Sequence, residues 1–190
     1  MSFKRDISLE EALAIVAGQA TLLGAEEVGL AHAYGRTLAK DVSSLVDHPS
    51  CDNSAMDGYA CREEDTLTAS EGHPVHLRLV GEVPAGSLFE GKVEAGCAVG
   101  IYTGAPLPAG ADAIIPVEAT ERQGGEVLLY RPASPKDIRP RAQDLKRGET
   151  YLRAGMRLTP AGVGVAASMG HPVLEVAKQP RVGILSTGDE

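Results

Sequence analysis

The chain has 190 residues, enough for one large or two small domains, and 43% of them are hydrophobic, which indicates a folded rather than a disordered chain. Its formal net charge of −8 argues against a nucleic-acid surface and means that any anion site needs a local basic cluster. Cys51, Cys61 and Cys97 lack metal or disulfide spacing, the N-terminus has no leader pattern, and no stretch approaches membrane-spanning length, so we expect a cytoplasmic protein with free thiols and no membrane. Trp is absent, which leaves Ala, Val, Leu and Ile to build the core, and 22 Gly with 12 Pro point to many turns and a β-rich part.

In chain order, Ser8-Leu9-Glu10-Glu11 opens a helix as a capping box, and Leu9, Leu13 and Val16 give it an apolar stripe to about Gly18. A second, Ala-rich helix is expected from about Leu30 to Gly35, with His32 on its surface. Between Asp41 and Val46 the chain should turn extended. From Tyr59 to Arg131 short apolar runs alternate with Gly and Pro: Val75–Val80, Cys97–Tyr102, Asp112–Val117 and Glu126–Tyr130 are expected strands of a small barrel or sandwich. His73 and His76 flank Pro74 and read as surface residues, not metal ligands.

Pro132 to Gly148 is polar and aperiodic, an ordered loop or a linker. Thr150 to Leu158 reads as a strand pair around Ala154-Gly155. Thr159 as N-cap, Pro160 at the first helical position, Ala161 to Met169 and the stop at Gly170 define the best-signalled helix; Gly162 and Gly164 leave it a small-residue face suited to close packing. Val182 to Leu185 followed by Ser186-Thr187-Gly188-Asp189-Glu190 resembles the first strand and phosphate-handling turn of a doubly wound α/β domain, which a lone strand cannot complete; we therefore expect a front portion of a longer protein.

The densest chemistry lies in Asp52-Asn53-Ser54-Ala55-Met56-Asp57-Gly58-Tyr59-Ala60. Two carboxylates, an amide and a hydroxyl within six residues make an ordered turn displaying oxygen ligands, which suits a hard cation such as Mg²⁺. The alternative is an Asx-turn in which Asp52 or Asn53 only caps the next element.

This segment resembles the signature of the molybdopterin molybdenumtransferases, the MoeA and gephyrin E-domain family. Three further segments agree in order: Tyr102-Thr103-Gly104-Ala105-Pro106, Ile138-Arg139-Pro140-Arg141-Ala142-Gln143-Asp144, and Ser186-Thr187-Gly188-Asp189-Glu190. The resemblance implies insertion of molybdate into adenylylated molybdopterin with release of AMP, aided by Mg²⁺, in a homodimer served by the molybdopterin-adenylating protein of the same pathway. It implies catalytic roles for Asp57, Asp144 and Glu190, metal ligation by Asp57 and Glu190, and substrate binding by Thr103, Arg139, Ser186 and Thr187. Gln143 stands where the family pattern has an acidic residue. The truncated chain alone should be inactive. A second reading, from the gephyrin branch, is a non-catalytic dimerisation or scaffolding module.

The expected fold is α+β: a helical and extended dimerisation scaffold from residues 1–45 and 148–178, an inserted barrel-like β domain over 46–147, and at 179–190 the first strand of a missing α/β pterin-binding domain.

Overall fold

The computed structural model describes residues 7–186. In chain order they form α1 (Leu9–Gln19), β1 (Ala25–Gly29), β2 (Val42–Ser43), β3 (Asn53–Ser54), β4 (Gly58–Cys61), β5 (Val75–Val83), β6 (Cys97–Ile101), β7 (Ala113–Pro116), β8 (Thr120–Gln123), β9 (Glu126–Leu129), β10 (Ile138–Arg139), β11 (Thr150–Leu152), α2 (Pro160–Ser168) and β12 (Val173–Ala177). Contacts divide the chain into two units, one running from Ser43 to Glu149 and one built from the segments on either side of it.

In the flanking unit, β1 pairs antiparallel with β12, from Ala25↔Ala177 to Gly29↔Val173. Leu38, Leu158, Met169 and Val176 are fully buried in its core or nearly so. Ser8 caps α1 by accepting from the Glu11 N–H, yet no residue of α1 is buried, so Leu9, Leu13 and Val16 form an exposed stripe. Thr159 caps α2 by accepting from the Gly162 N–H, and Gly170, at φ 88°, follows its end. The two glycines of α2 do not mark a close approach: a Cβ on Gly164 meets nothing within 4 Å, and one on Gly162 meets Leu158 at 3.5 Å, an ordinary contact.

Three expected elements differ. The helix at Leu30–Gly35 is a single 3₁₀ turn, Leu30–His32, because Gly35 takes φ 75° and the following residues are drawn into bridges, Thr37 with Arg157 and Leu38 with Val176. Those bridges also dissolve the strand pair at 150–158: only Thr150–Leu152 is a strand, and Arg157 bonds away to Thr37. Residues 181–186 are exposed coil rather than a strand, with Ile184 and Leu185 over 90% exposed, as expected of an apolar run without neighbouring strands among the described residues.

The central unit is a six-stranded sheet in the order β7-β4-β6-β5-β9-β8. β5 and β6 are parallel and the other pairs antiparallel, and a register shift between Leu79 and Glu82 bends β5. The edge strands β7 and β8 are consecutive, joined by the 3₁₀ turn Val117–Ala119, so the sheet curls. One apolar cluster, including Tyr59, Leu77, Ile115, Val127 and Leu129, fills one face; a second, including Val83, Val99, Ile101 and Ile114, fills the other. Burial on both faces explains why β6 and β7 read as unbroken apolar runs rather than as alternating ones. Residues 132–148 are an ordered loop containing β10.

Candidate functional site

The site grows from β3, only two residues long. β10 pairs with it on one side, Arg139 opposite Asn53 and Ile138 opposite Ser54. On the other side Asn53 bridges Pro106, the Ser54 N–H donates to the Ala105 carbonyl (3.0 Å), and the Gly104 N–H donates to the Ser54 carbonyl (2.8 Å). Three of the four sequence motifs therefore meet at one buried dipeptide.

Ser54 then turns the chain. Its hydroxyl accepts from the Met56 N–H at 3.2 Å and donates to the Met56 carbonyl, a local turn that lifts Asp57 into view. The Asp57 carbonyl accepts from the Val117 N–H (3.0 Å), and Gly58 follows against β7. A Cβ on Gly58 would stand 2.0 Å from the Ile115 carbonyl oxygen, so only glycine allows this approach.

The Asp57 side chain is held equally firmly. Its Oδ1 accepts from both the N–H of Thr103 (2.8 Å) and its hydroxyl (2.7 Å). These bonds, the backbone one first, keep the carboxyl below the usual carboxylate range and therefore ionised at neutral pH. Thr103 commits both donors to Asp57, while Oδ2 takes no hydrogen bond among the described residues. Asp57 lines an open cleft with Tyr59, Glu82, Tyr102, Val117 and Arg122.

The Arg139 loop forms a second cluster. Arg139 Nη2 lies 3.0 Å from Asp144 Oδ2, and His48 Nε2 lies 4.0 Å from the same oxygen. The Arg141 N–H donates to Asp52 Oδ1 (2.7 Å) and its Nε to Asp47 Oδ2 (2.7 Å), while the Arg147 N–H donates to Asp47 Oδ1 (2.9 Å). The Arg147 backbone bond and then the Arg141 side chain hold Asp47 below its usual range. Gln143 has an exposed side chain at a turn in which its N–H donates to the Pro140 carbonyl. Ser186 lies in exposed coil, and Thr187 and Glu190 lie outside the described residues.

Sequence reasoning missed Asp47, Glu82 and Arg122. None sits in a motif, and each reaches its partners through strand pairing or loop closure of 40 residues or more. All three cysteines are free thiols, as their spacing implied.

Fold and site define a mixed α+β protein in which a curled sheet displays an ionised turn carboxylate. The chain belongs to the family described as MoeA N-terminal region (domain I and II), which it matches over residues 7–170. It is 43% identical over 164 residues to Molybdopterin molybdenumtransferase 2 of Mycobacterium tuberculosis, covering 86% of this chain and 40% of that protein. It is 39% identical over 166 residues to the Molybdopterin molybdenumtransferase of a Nostoc species, covering 87% and 38%. Among solved structures, the molybdopterin biosynthesis moeA protein from Pyrococcus horikoshii OT3 superposes with a TM-score of 0.85 at 36% identity, covering 90% of this chain and 46% of that one. The chain thus spans about two fifths of the length of these curated relatives.

Proposed function

We propose that this chain is the front part of a molybdenumtransferase of molybdenum cofactor biosynthesis, acting on molybdate and adenylylated molybdopterin and releasing AMP. The observation that carries this reading is Asp57: an ionised carboxylate fixed by Thr103 and lining an open cleft, next to the buried Asn53-Ser54 strand on which three family motifs converge.

Asp57 suits a hard cation because Mg²⁺ takes one or two carboxylates and keeps its waters. The described residues contain no group of three His, Cys, Asp or Glu able to cage a metal, so the fit is to such an open, water-rich site, with Glu190 as the second carboxylate. When bound, Mg²⁺ would offset negative charge on the phosphoanhydride being cleaved. Asp57 holds its ligand oxygen in place, Thr103 fixes the carboxylate's rotamer, and Arg139, oriented by Asp144, attracts the anionic substrate. Ser186 and Thr187 offer hydroxyls to the pterin substrate. The enzyme works as a cytoplasmic homodimer that takes adenylylated molybdopterin from the adenylating protein, and residues 1–190 alone do not turn over.

The test is a chimera joining this chain to the remaining length of the Mycobacterium tuberculosis relative, in a strain lacking its own transferase. It should restore molybdenum-cofactor-dependent activity, and Asp57→Ala should abolish it with the fold unchanged by circular dichroism. Full activity in Asp57→Ala would remove Asp57 from the site and overturn this reading.

A further inference from the structure

The cleft that holds Asp57 contains a cation that no sequence motif marks. Arg122 lies directly opposite Val127 in the β8–β9 ladder, so the two share a face of the sheet. Val127 is fully buried in the cluster that includes Tyr59 and Ile115. Arg122 therefore projects from the interior side of the curled sheet, at the end where that interior opens beside Asp57.

Its partner comes from across the curl. Arg122 Nη1 donates to Glu82 Oε1 at 2.6 Å, and both side chains are about half exposed, at 54% and 41%. Glu82 can lie there because Gly100 has no side chain: a Cβ on Gly100 would stand 2.8 Å from Glu82 Cγ. A guanidinium carries five N–H donors in a planar fork, and Glu82 takes one nitrogen of it. Half-exposed ion pairs of this kind are weak and readily exchanged.

Charge makes this cation consequential. Within the cleft Asp57 and Glu82 contribute two negative charges, and Arg122 is the only cationic side chain lining it among the described residues. On a chain of net charge −8, an anion entering this cleft meets two carboxylates and, among the described lining residues, one attracting charge, Arg122. We propose that Arg122 is an anion-binding residue of the Asp57 cleft, taking a tetrahedral oxyanion on the guanidinium donors that Glu82 leaves unused. Glu82 pre-aims the guanidinium and competes for it. This inference rests on the reading of the Asp57 cleft as the substrate site, and it adds the group that neutralises the substrate there. Two sources share the chemistry: inorganic molybdate and the phosphate ester of a nucleotide.

The test titrates the 190-residue chain with sodium molybdate and, separately, with AMP, following the Arg122 Nε–H resonance and the Tyr59 and Gly100 amides by NMR. A saturable shift of the Arg122 resonance is expected. A shift with molybdate assigns Arg122 to the inorganic substrate, and a shift with AMP alone assigns it to the phosphate ester. Glu82→Gln should tighten binding by about threefold to fivefold, the scale of a lost exposed ion pair. Arg122→Gln should remove the shifts at Tyr59 and Gly100 while the remaining amide spectrum stays native. In the chimera, Arg122→Gln should raise KM by about tenfold or more, as loss of a charged hydrogen-bond partner does, with a smaller change in kcat. No shift of Arg122 with either anion, or shifts that persist in Arg122→Gln, overturns the proposal. Because the titration involves no turnover, that failure is separable from failure of the transferase reading, which the Asp57→Ala chimera decides.

Discussion

Asp57 and Thr103, 46 residues apart, are joined by two hydrogen bonds to a single carboxylate oxygen, from the Thr103 N–H at 2.8 Å and from its hydroxyl at 2.7 Å. The second oxygen takes no hydrogen bond among the described residues, and Asp57 lines an open cleft. A turn carboxylate that would otherwise sample several rotamers is thus aimed before any ligand arrives.

That arrangement has a titration signature. Asp57 should titrate below the free-Asp value of about 3.9. Thr103→Ala removes the hydroxyl bond and keeps the N–H bond, so the midpoint should rise yet stay below the free value. A folded-state pKa that is depressed stabilises the fold above the unfolded value, and the contribution is lost as pH falls through the folded one. The stabilities of the parent and Thr103→Ala should therefore converge in acid. Carboxyl ¹³C NMR measures the midpoints, and identical ones would show that the hydroxyl bond is not formed in solution.

Gly58 sets how closely Asp57 can sit against β7. The Cβ in Gly58→Ala would stand 2.0 Å from a backbone oxygen that no rotamer change can move, so β4 and β7 must separate. We expect a loss of about 3 kcal/mol, typical of overpacking that shifts backbone, read as a lower midpoint in urea. The Asp57 carboxyl should also drift up toward its free value as its reach to Thr103 lengthens. A neutral substitution would mean that the strands are looser than this register implies.

The cap of α2 is a local prediction in the other unit. Thr159→Ala leaves the Gly162 N–H without its acceptor and should lower stability by about 1 kcal/mol, while Thr159→Ser should restore most of it. Urea denaturation of the three proteins measures both numbers. Equal midpoints for Ala and Ser would show that the hydroxyl does not cap the helix.

The thiols should differ sharply in reactivity. Burial, with Asp112 and Asp65 adding to it, pushes the Cys61 thiol up to about 12, and Cys97 is buried beneath Arg78. Cys51 is only partly buried. Since the thiolate is the nucleophile, iodoacetamide at pH 8 should label Cys51 first and leave Cys61 unmodified until the protein unfolds. Mass spectrometry of the peptides reads the order, and early labelling of Cys61 would contradict the packing of β4.

What the sequence alone determined about this protein is what a window of a few residues contains. Ser8 and Thr159 cap helices because each bonds an N–H three residues on, and the apolar runs in β6 and β7 fold as strands because both faces are covered. Four ordered motifs were enough for the family. The same local reasoning failed at Leu30–Gly35, where bridges from Thr37 and Leu38 to residues 120 or more positions away override an Ala-rich helical pattern. The strand at Ala25–Gly29 also escaped it, because Ala25-Glu26-Glu27-Val28-Gly29 has no apolar alternation and becomes a strand through its pairing with β12. Only the tertiary structure decided that Thr103 would hold Asp57, that Asp47 would hold Arg141, and that Arg122 would enter the same cleft on the far strand of a curled sheet. The meetings of Thr103 with Asp57 and of Arg122 with the cleft depend on the order of the six strands, and that of Asp47 with Arg141 on the β3–β10 pairing and the His48–Leu145 bridge. No short segment carries that information, since the chain must close loops of 40 residues or more before any of those contacts exists.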